Sequence, residues 1–239
     1  MATSGGFRMT ANYEVFEAGE TILEALRLTG KTRPRVVLMN TATGDDPARY
    51  VRPYAALSKL GCDVTHLSLF TMPTHDPFDV LTGADFVWVG GGSVANLLAV
   101  WRVHRVDEAM AEAWNKGVIL GGVSAGSICW HVGGTTDSFG PTLRVVDNGL
   151  ALLPYANGVH YDSEAQRRPL LQQTVTDGVF DVAYATDDRV GMLYENTEPV
   201  RVITDQAFDP ASGPAAYRIE RVAGAAVETR LAPGVITLR

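Results

Sequence analysis

The sequence predicts an α/β protein built on a mostly parallel sheet with helices on both faces. Two observations carry the prediction. Short apolar runs alternate with amphipathic stretches, as expected when strands buried on both faces are separated by the helices that cover them. Two of the runs, Phe86 to Val89 and Val118 to Leu120, pass straight into glycine-rich turns and then helical patterns, the unit that puts ligand-binding loops at the carboxyl ends of strands.

Val36 to Met39 is the first strand the pattern marks, set off by Arg33-Pro34 and closed by a polar turn from Thr41 to Asp46. Arg49 to Leu60 reads as a helix with Tyr50, Tyr54, Leu57 and Leu60 on one buried face, and Gly61 ends it. Val64 to Leu69 is a second strand and Phe86 to Val89 a third, followed by Gly90-Gly91-Gly92 and a helix from about Ser93. Val106 to Trp114 continues helically, Val118 to Leu120 is a fourth strand, and a new helix starts beside Ser124. Gly133 to Thr142 reads as loop. Beyond it the strands are short and separated by turns, and Ala215 to Arg239 alternates like a β-meander. No repeat, low-complexity tract or linker interrupts the chain, so a single domain over residues 1–239 is expected.

The 239 residues are 46% apolar, enough for a large core without disulfide staples. A net charge of −7, spread without long like-charge runs, counts against nucleic acid and against an anionic membrane surface as partners. Cys62 and Cys129 stand outside any C-x-x-C pair or histidine cluster; they read as two buried thiols in a reducing compartment, and no metal site is expected. Met1 to Gly6 lacks the basic and apolar regions of an export signal, and no apolar run approaches the roughly 20 residues that cross a bilayer. A cytoplasmic setting follows by elimination.

The chemistry concentrates in Gly122-Val123-Ser124-Ala125-Gly126, a G-x-S-x-G element between an apolar strand and an apolar helix. A strand that turns sharply into a helix strains its central residue, and only small neighbours leave room for the bend. Gly122, Ala125 and Gly126 are those neighbours, and Ser124 is the expected nucleophile, exposed at the strand end with N–H groups of the following turn behind it. Ser127 falls one turn further on, where packing or capping suits it better. Gly90-Gly91-Gly92 lacks the spacing of a nucleotide cradle. It can supply the second N–H of an oxyanion hole from Gly91 or Gly92, the first coming from Ala125.

A serine hydroxyl needs a base. Of the five histidines, His66 lies in a strand, His104 on a helix between Arg102 and Arg105, His75 in a turn, and His131 too near Ser124 along the chain. His160, just after a strand, is left. The acid that orients it is Asp187-Asp188 or Asp137 by spacing, with Asp162 and Glu164 close to His160 in sequence.

At these residues the chain resembles the peptidase E family of serine peptidases, the α-aspartyl dipeptidases, which are related to cyanophycinases. The likeness runs over most of the chain and is most specific at Leu28-Thr29-Gly30-Lys31, Gly90-Gly91-Gly92 with Asn96-Leu97, Gly122 to Ser127, and His160-Tyr161-Asp162-Ser163. It implies a three-layer αβα sandwich of the class I glutamine amidotransferase (flavodoxin-like) kind, Ser124 as nucleophile, His160 as base and Asp188 as third residue. It also implies a small peptide substrate and a homodimer, and acyl transfer by these residues needs no metal or organic cofactor. Members that recognise an N-terminal aspartate need a cation for its carboxylate. Glu164 stands where arginine would be expected; either Arg167 or Arg168 takes the role instead, or the two only decorate a helix. The other readings are an esterase or amidase on non-peptide substrates, and a non-catalytic ligand-binding protein.

Overall fold

The computed structural model describes residues 1–10, 15–205, 209 and 211–236. They fall into two compact units, one formed by Met1–Gly5 with Ser127 onward and the other by Gly6–Gly126. Both are α/β.

In Gly6–Gly126 four parallel strands lie in the order Ile119–Val123, Phe86–Val89, Arg35–Met39, Asp63–His66. All four residues of Phe86–Val89 are buried, which an apolar run with no polar alternation requires of an inner parallel strand. The connecting helices are Ala48–Lys59, Pro77–Thr82, Val94–Val103 and Val106–Asn115, and Glu20–Leu28 precedes the first parallel strand. Their starts are chemically marked: Asp76 accepts the Phe78 N–H at 2.8 Å and Ser93 the Asn96 N–H at 3.2 Å. Helix Ala48–Lys59 buries Tyr50 and Leu57 as expected, whereas Leu60 lies past its end and is 45% exposed. The strand expected over residues 64–69 stops at His66, because the Leu69 and Phe70 N–H groups turn to the buried Asp45 carboxylate. A short hairpin, Phe7–Met9 against Phe16–Ala18, had no sequence signal.

In the other unit six strands run in the order Ala225–Leu231, Ala216–Val222, Val182–Thr186, Leu153–Gly158, His131–Thr136, Arg144–Val146. Only Leu153–Gly158 pairs in parallel, with a neighbour on each side; the rest of the sheet is antiparallel. The hairpin turn Ala223-Gly224 has positive φ at both residues, the geometry that two-residue hairpins prefer. The helix Arg167–Thr176 packs beside this sheet. A second antiparallel ladder joins Ala2–Thr3 to Val190–Glu195, and that strand to Glu198–Thr204 and Gly234–Val235. Residues 237–239 of the expected C-terminal meander lie outside the described residues.

The loop expected over residues 133–142 begins instead as the strand His131–Thr136. Its glycines mark close packing. A Cβ on Gly133 would stand 2.1 Å from the Val146 carbonyl oxygen, and one on Gly134 2.1 Å from that of Asn157.

Candidate active site

Strand Ile119–Val123 ends at Ser124, whose φ of 56° is left-handed. A residue with a Cβ rarely sits there, and the conformation persists only where its surroundings force it. They do so through backbone packing. A Cβ on Gly122 would lie 2.2 Å from the Gly126 carbonyl oxygen, and one on Gly126 2.3 Å from that of Val89. The G-x-S-x-G spacing is thus the condition for the bend to close against strand Phe86–Val89. The helix after it, Ala125–Ile128, is only four residues long, shorter than the apolar pattern implied.

Val89 and Gly122 are register partners, so the carboxyl ends of both strands bring Gly90-Gly91-Gly92 beside Ser124. The Gly90 N–H is used by the Met39 carbonyl at 2.8 Å. Among the described residues, the N–H groups of Gly91, Gly92 and Ala125 donate to no backbone carbonyl. Gly92, at φ 135°, lies against Ala42, whose carbonyl accepts the Ser93 N–H at 2.9 Å. Trp101 anchors this turn through Thr41, Nε1 to Oγ1 at 3.1 Å. The glycine loop therefore rests on a fixed backing.

In the other unit, His160 follows strand Leu153–Gly158 and itself has a left-handed φ of 53°. Its Nδ1 lies 2.5 Å from Asp188 Oδ1. With Nδ1 donating to the carboxylate, Nε2 is left as the acceptor of the neutral ring. The Asp188 N–H donates to Asp162 Oδ1 at 2.8 Å, and the His160 N–H donates to Ser4 Oγ at 3.0 Å. Nothing in the spacing of the sequence pointed to Ser4.

The other candidate acids have different partners. Asp187 is buried, accepting from the Ala215 N–H and the Tyr217 hydroxyl; burial raises its carboxyl above the ordinary range. Asp137 stands 3.8 Å from Arg167. Arg167 is 2% exposed, donating to the Thr135 carbonyl and to Glu164 at 2.6 and 2.7 Å. That guanidinium is committed to packing. Arg168 lies between the rings of Tyr161 and Tyr217, 5.0 and 4.7 Å from their centroids, and forks onto Glu228.

Of the remaining histidines, His66 meets the Tyr54 hydroxyl, His75 meets Thr74, and His104 closes helix Val94–Val103. His131 is fully buried, Nδ1 on the Ser127 carbonyl at 2.9 Å, and burial lowers its pKa to about 3. A groove of about 650 Å³ in Gly6–Gly126 includes His66 and His75 in its lining but neither Ser124 nor the glycine loop. Among the described residues no cluster of His, Cys, Asp and Glu has a metal-holding arrangement. No helix among them is long and apolar enough to cross a membrane. Cys62 and Cys129 are buried, and neither forms a disulfide among the described residues.

Residues 2–201 match the sequence profile of Peptidase family S51. The chain belongs to that family. It is a peptidase of the serine type, and the expected likeness to peptidase E holds. The Bacillus subtilis (strain 168) protein named uncharacterized peptidase YgaJ is 34% identical over 194 residues, 81% of either chain. Two solved structures share the fold. One is the "Putative Peptidase E Protein" of Listeria monocytogenes EGD-e, at TM-score 0.53 and 18% identity over 97% of this chain and 100% of that one. The other is a peptidase from an acI-B1 Actinobacterium, at TM-score 0.64 and 13% identity over 92% and 90%. The S51 match spans the serine turn, the glycine loop, His160 and Asp188 alike.

Proposed function

We propose that this S51 peptidase cleaves small peptides through an acyl-enzyme formed on Ser124, with His160 as base and Asp188 as the residue that orients it. The observation that carries the reading is the left-handed Ser124, held between Gly122 and Gly126 at a parallel strand end. His160 Nε2 takes the Ser124 proton as Oγ attacks the carbonyl carbon. The oxyanion is held by the N–H groups of Ala125 and of Gly91 or Gly92. His160 then protonates the departing amine, the C–N bond breaks, and water attacks the ester to release the acid and restore the hydroxyl. Asp188 keeps the ring in the tautomer this requires.

The substrate we infer is a dipeptide or short peptide with an N-terminal aspartate, a specificity that rests on the resemblance to peptidase E. Of the two arginines considered for its carboxylate, Arg168 is the one with solvent access, at 43% side-chain exposure, and it would share its charge between Glu228 and substrate. A three-layer, amidotransferase-like sandwich, one domain over 1–239, a homodimer and a cytoplasmic setting belong to the same reading. The experiment is a panel of Asp-X, Glu-X, Asn-X and neutral dipeptides run with the wild type and with Ser124→Ala. Selective cleavage of Asp-X, abolished in the variant, is expected. Hydrolysis of esters with no turnover of any peptide would overturn it.

A further inference from the structure

Ser4 ties the two loops that carry His160 and Asp188 into one piece. Its hydroxyl accepts the His160 N–H at 3.0 Å and lies 3.0 Å from the Thr186 carbonyl and 2.6 Å from the Thr186 hydroxyl. A hydroxyl has one proton and two lone pairs. Donation to the Thr186 carbonyl, with acceptance from His160 and from the Thr186 hydroxyl, uses all three. The Ser4 main chain completes the knot, its N–H on the Val190 carbonyl at 2.9 Å and its carbonyl taking the Arg189 N–H at 3.0 Å. One residue thus grips the chain on both sides of Asp188, from Thr186 to Val190, and the backbone of His160 as well.

Two further ties run the same way. The Asp188 N–H reaches Asp162, two residues after His160, at 2.8 Å, and the Tyr161 N–H reaches the Thr186 carbonyl at 3.1 Å. His160 and Arg189 both hold left-handed φ, at 53° and 64°. Strained residues of this kind stay in place only where neighbouring bonds over-determine them. Ser4 and Thr186 are 5% and 1% exposed, so water does not replace these bonds readily when one is lost.

We propose that Ser4, assisted by Asp162, is a positioning residue for the peptidase reaction: it fixes the His160 backbone so that Nδ1 stays on Asp188 and Nε2 is correctly aimed. This rests on the reading of Ser124, His160 and Asp188 given above. A displacement of about 1 Å in such a group costs up to roughly 10²-fold in rate. Ser4→Ala is therefore expected to lower kcat by about 10- to 100-fold with little change in KM. Ser4→Thr, which keeps the hydroxyl, restores most of it.

The deciding readout does not depend on turnover. The proton between His160 Nδ1 and Asp188 is expected to give a far-downfield proton NMR signal, to be assigned by its loss in His160→Gln. In Ser4→Ala it is expected to broaden or move upfield, and in Ser4→Thr to persist. Asp162 is exposed, so Asp162→Ala leaves the core intact even where Ser4→Ala fails to fold. It is expected to weaken the same signal, and Asp162→Asn, which retains an acceptor oxygen, to keep it. An unchanged signal in folded Ser4→Ala and Asp162→Ala would overturn the proposal, whatever their activity. Undiminished hydrolysis by Ser124→Ala would instead overturn the catalytic reading and leave the NMR result to stand alone.

Discussion

Gly91 leaves beside Ser124 a space that a side chain would crowd: a Cβ on Gly91 would stand 3.2 Å from the serine Cβ and 3.8 Å from its Oγ. Gly91 has no positive φ, so alanine fits the backbone there and intrudes only on the serine and the space beside it. Gly91→Ala is expected to lower kcat by roughly 10²–10³, the cost of a disturbed oxyanion donor, with a small effect on thermal stability. Full activity in a folded Gly91→Ala protein would remove Gly91 from the mechanism and leave Gly92 as the loop's donor.

Ser124 stores strain as well as chemistry. Ser124→Gly relieves a left-handed conformation that costs on the order of 1 kcal/mol, so the inactive variant is expected to melt about 2–4 °C higher than wild type. Differential scanning calorimetry measures this directly. A lower melting temperature would mean that contacts of the side chain outweigh the strain. Gly122→Ala is expected to do the reverse, since its Cβ would meet a carbonyl oxygen at 2.2 Å: several kcal/mol of stability lost, and activity with it.

The two candidate acids separate by mutation. Asp188→Asn removes the charge that holds the His160 tautomer and is expected to lower kcat on the order of 10⁴-fold. Asp137→Asn, whose carboxylate sits 3.8 Å from an already engaged Arg167, is expected to leave kcat unchanged. Comparable losses in both variants would contradict the assignment.

Stability should fall with acid through His131. Burial lowers its folded pKa from 6.5 to about 3. The unfolded chain therefore binds a proton below pH 6.5 that the folded chain refuses. The stabilising difference is complete above pH 6.5 and is lost as pH falls towards 3, at up to about 1.4 kcal/mol per pH unit. Urea unfolding of the wild type and His131→Gln at matched pH values tests this. The variant is expected to show the shallower acid slope, and equal slopes would locate the acid sensitivity elsewhere.

Arg168→Ala tests specificity. If the guanidinium receives the substrate carboxylate, kcat/KM for Asp-X should fall by about tenfold or more relative to Asn-X, as loss of a charged hydrogen bond predicts. An equal fall for both would assign Arg168 to the Tyr161–Tyr217–Glu228 packing alone.

What was legible in the sequence was whatever is encoded locally. The strand Phe86–Val89, the helix start near Ser93 and the serine bend are each specified by residues within a few positions of one another. The glycines at 133 and 134 had two readings. A turn and a tightly packed strand both call for a missing Cβ, and only the neighbouring carbonyls of Val146 and Asn157 decide between them. Asp188 and Asp137 were inseparable by spacing because the bond to His160 spans 28 residues. Ser4 was invisible for the same reason on a larger scale, its hydroxyl reaching across 156 residues to His160 and 182 to Thr186. Arg167 and Arg168 were equal candidates for the substrate carboxylate because they are adjacent in sequence, yet the partners of Arg167 include the carbonyl of a strand residue 32 positions away.

The central claim, that the left-handed serine is the nucleophile, is tested most directly by active-site labelling. A fluorophosphonate probe followed by peptide mass spectrometry is expected to place one adduct per chain on Ser124, with none in Ser124→Ala and slow labelling in His160→Gln. An adduct on another residue, or peptide hydrolysis by Ser124→Ala at the wild-type rate, would contradict it.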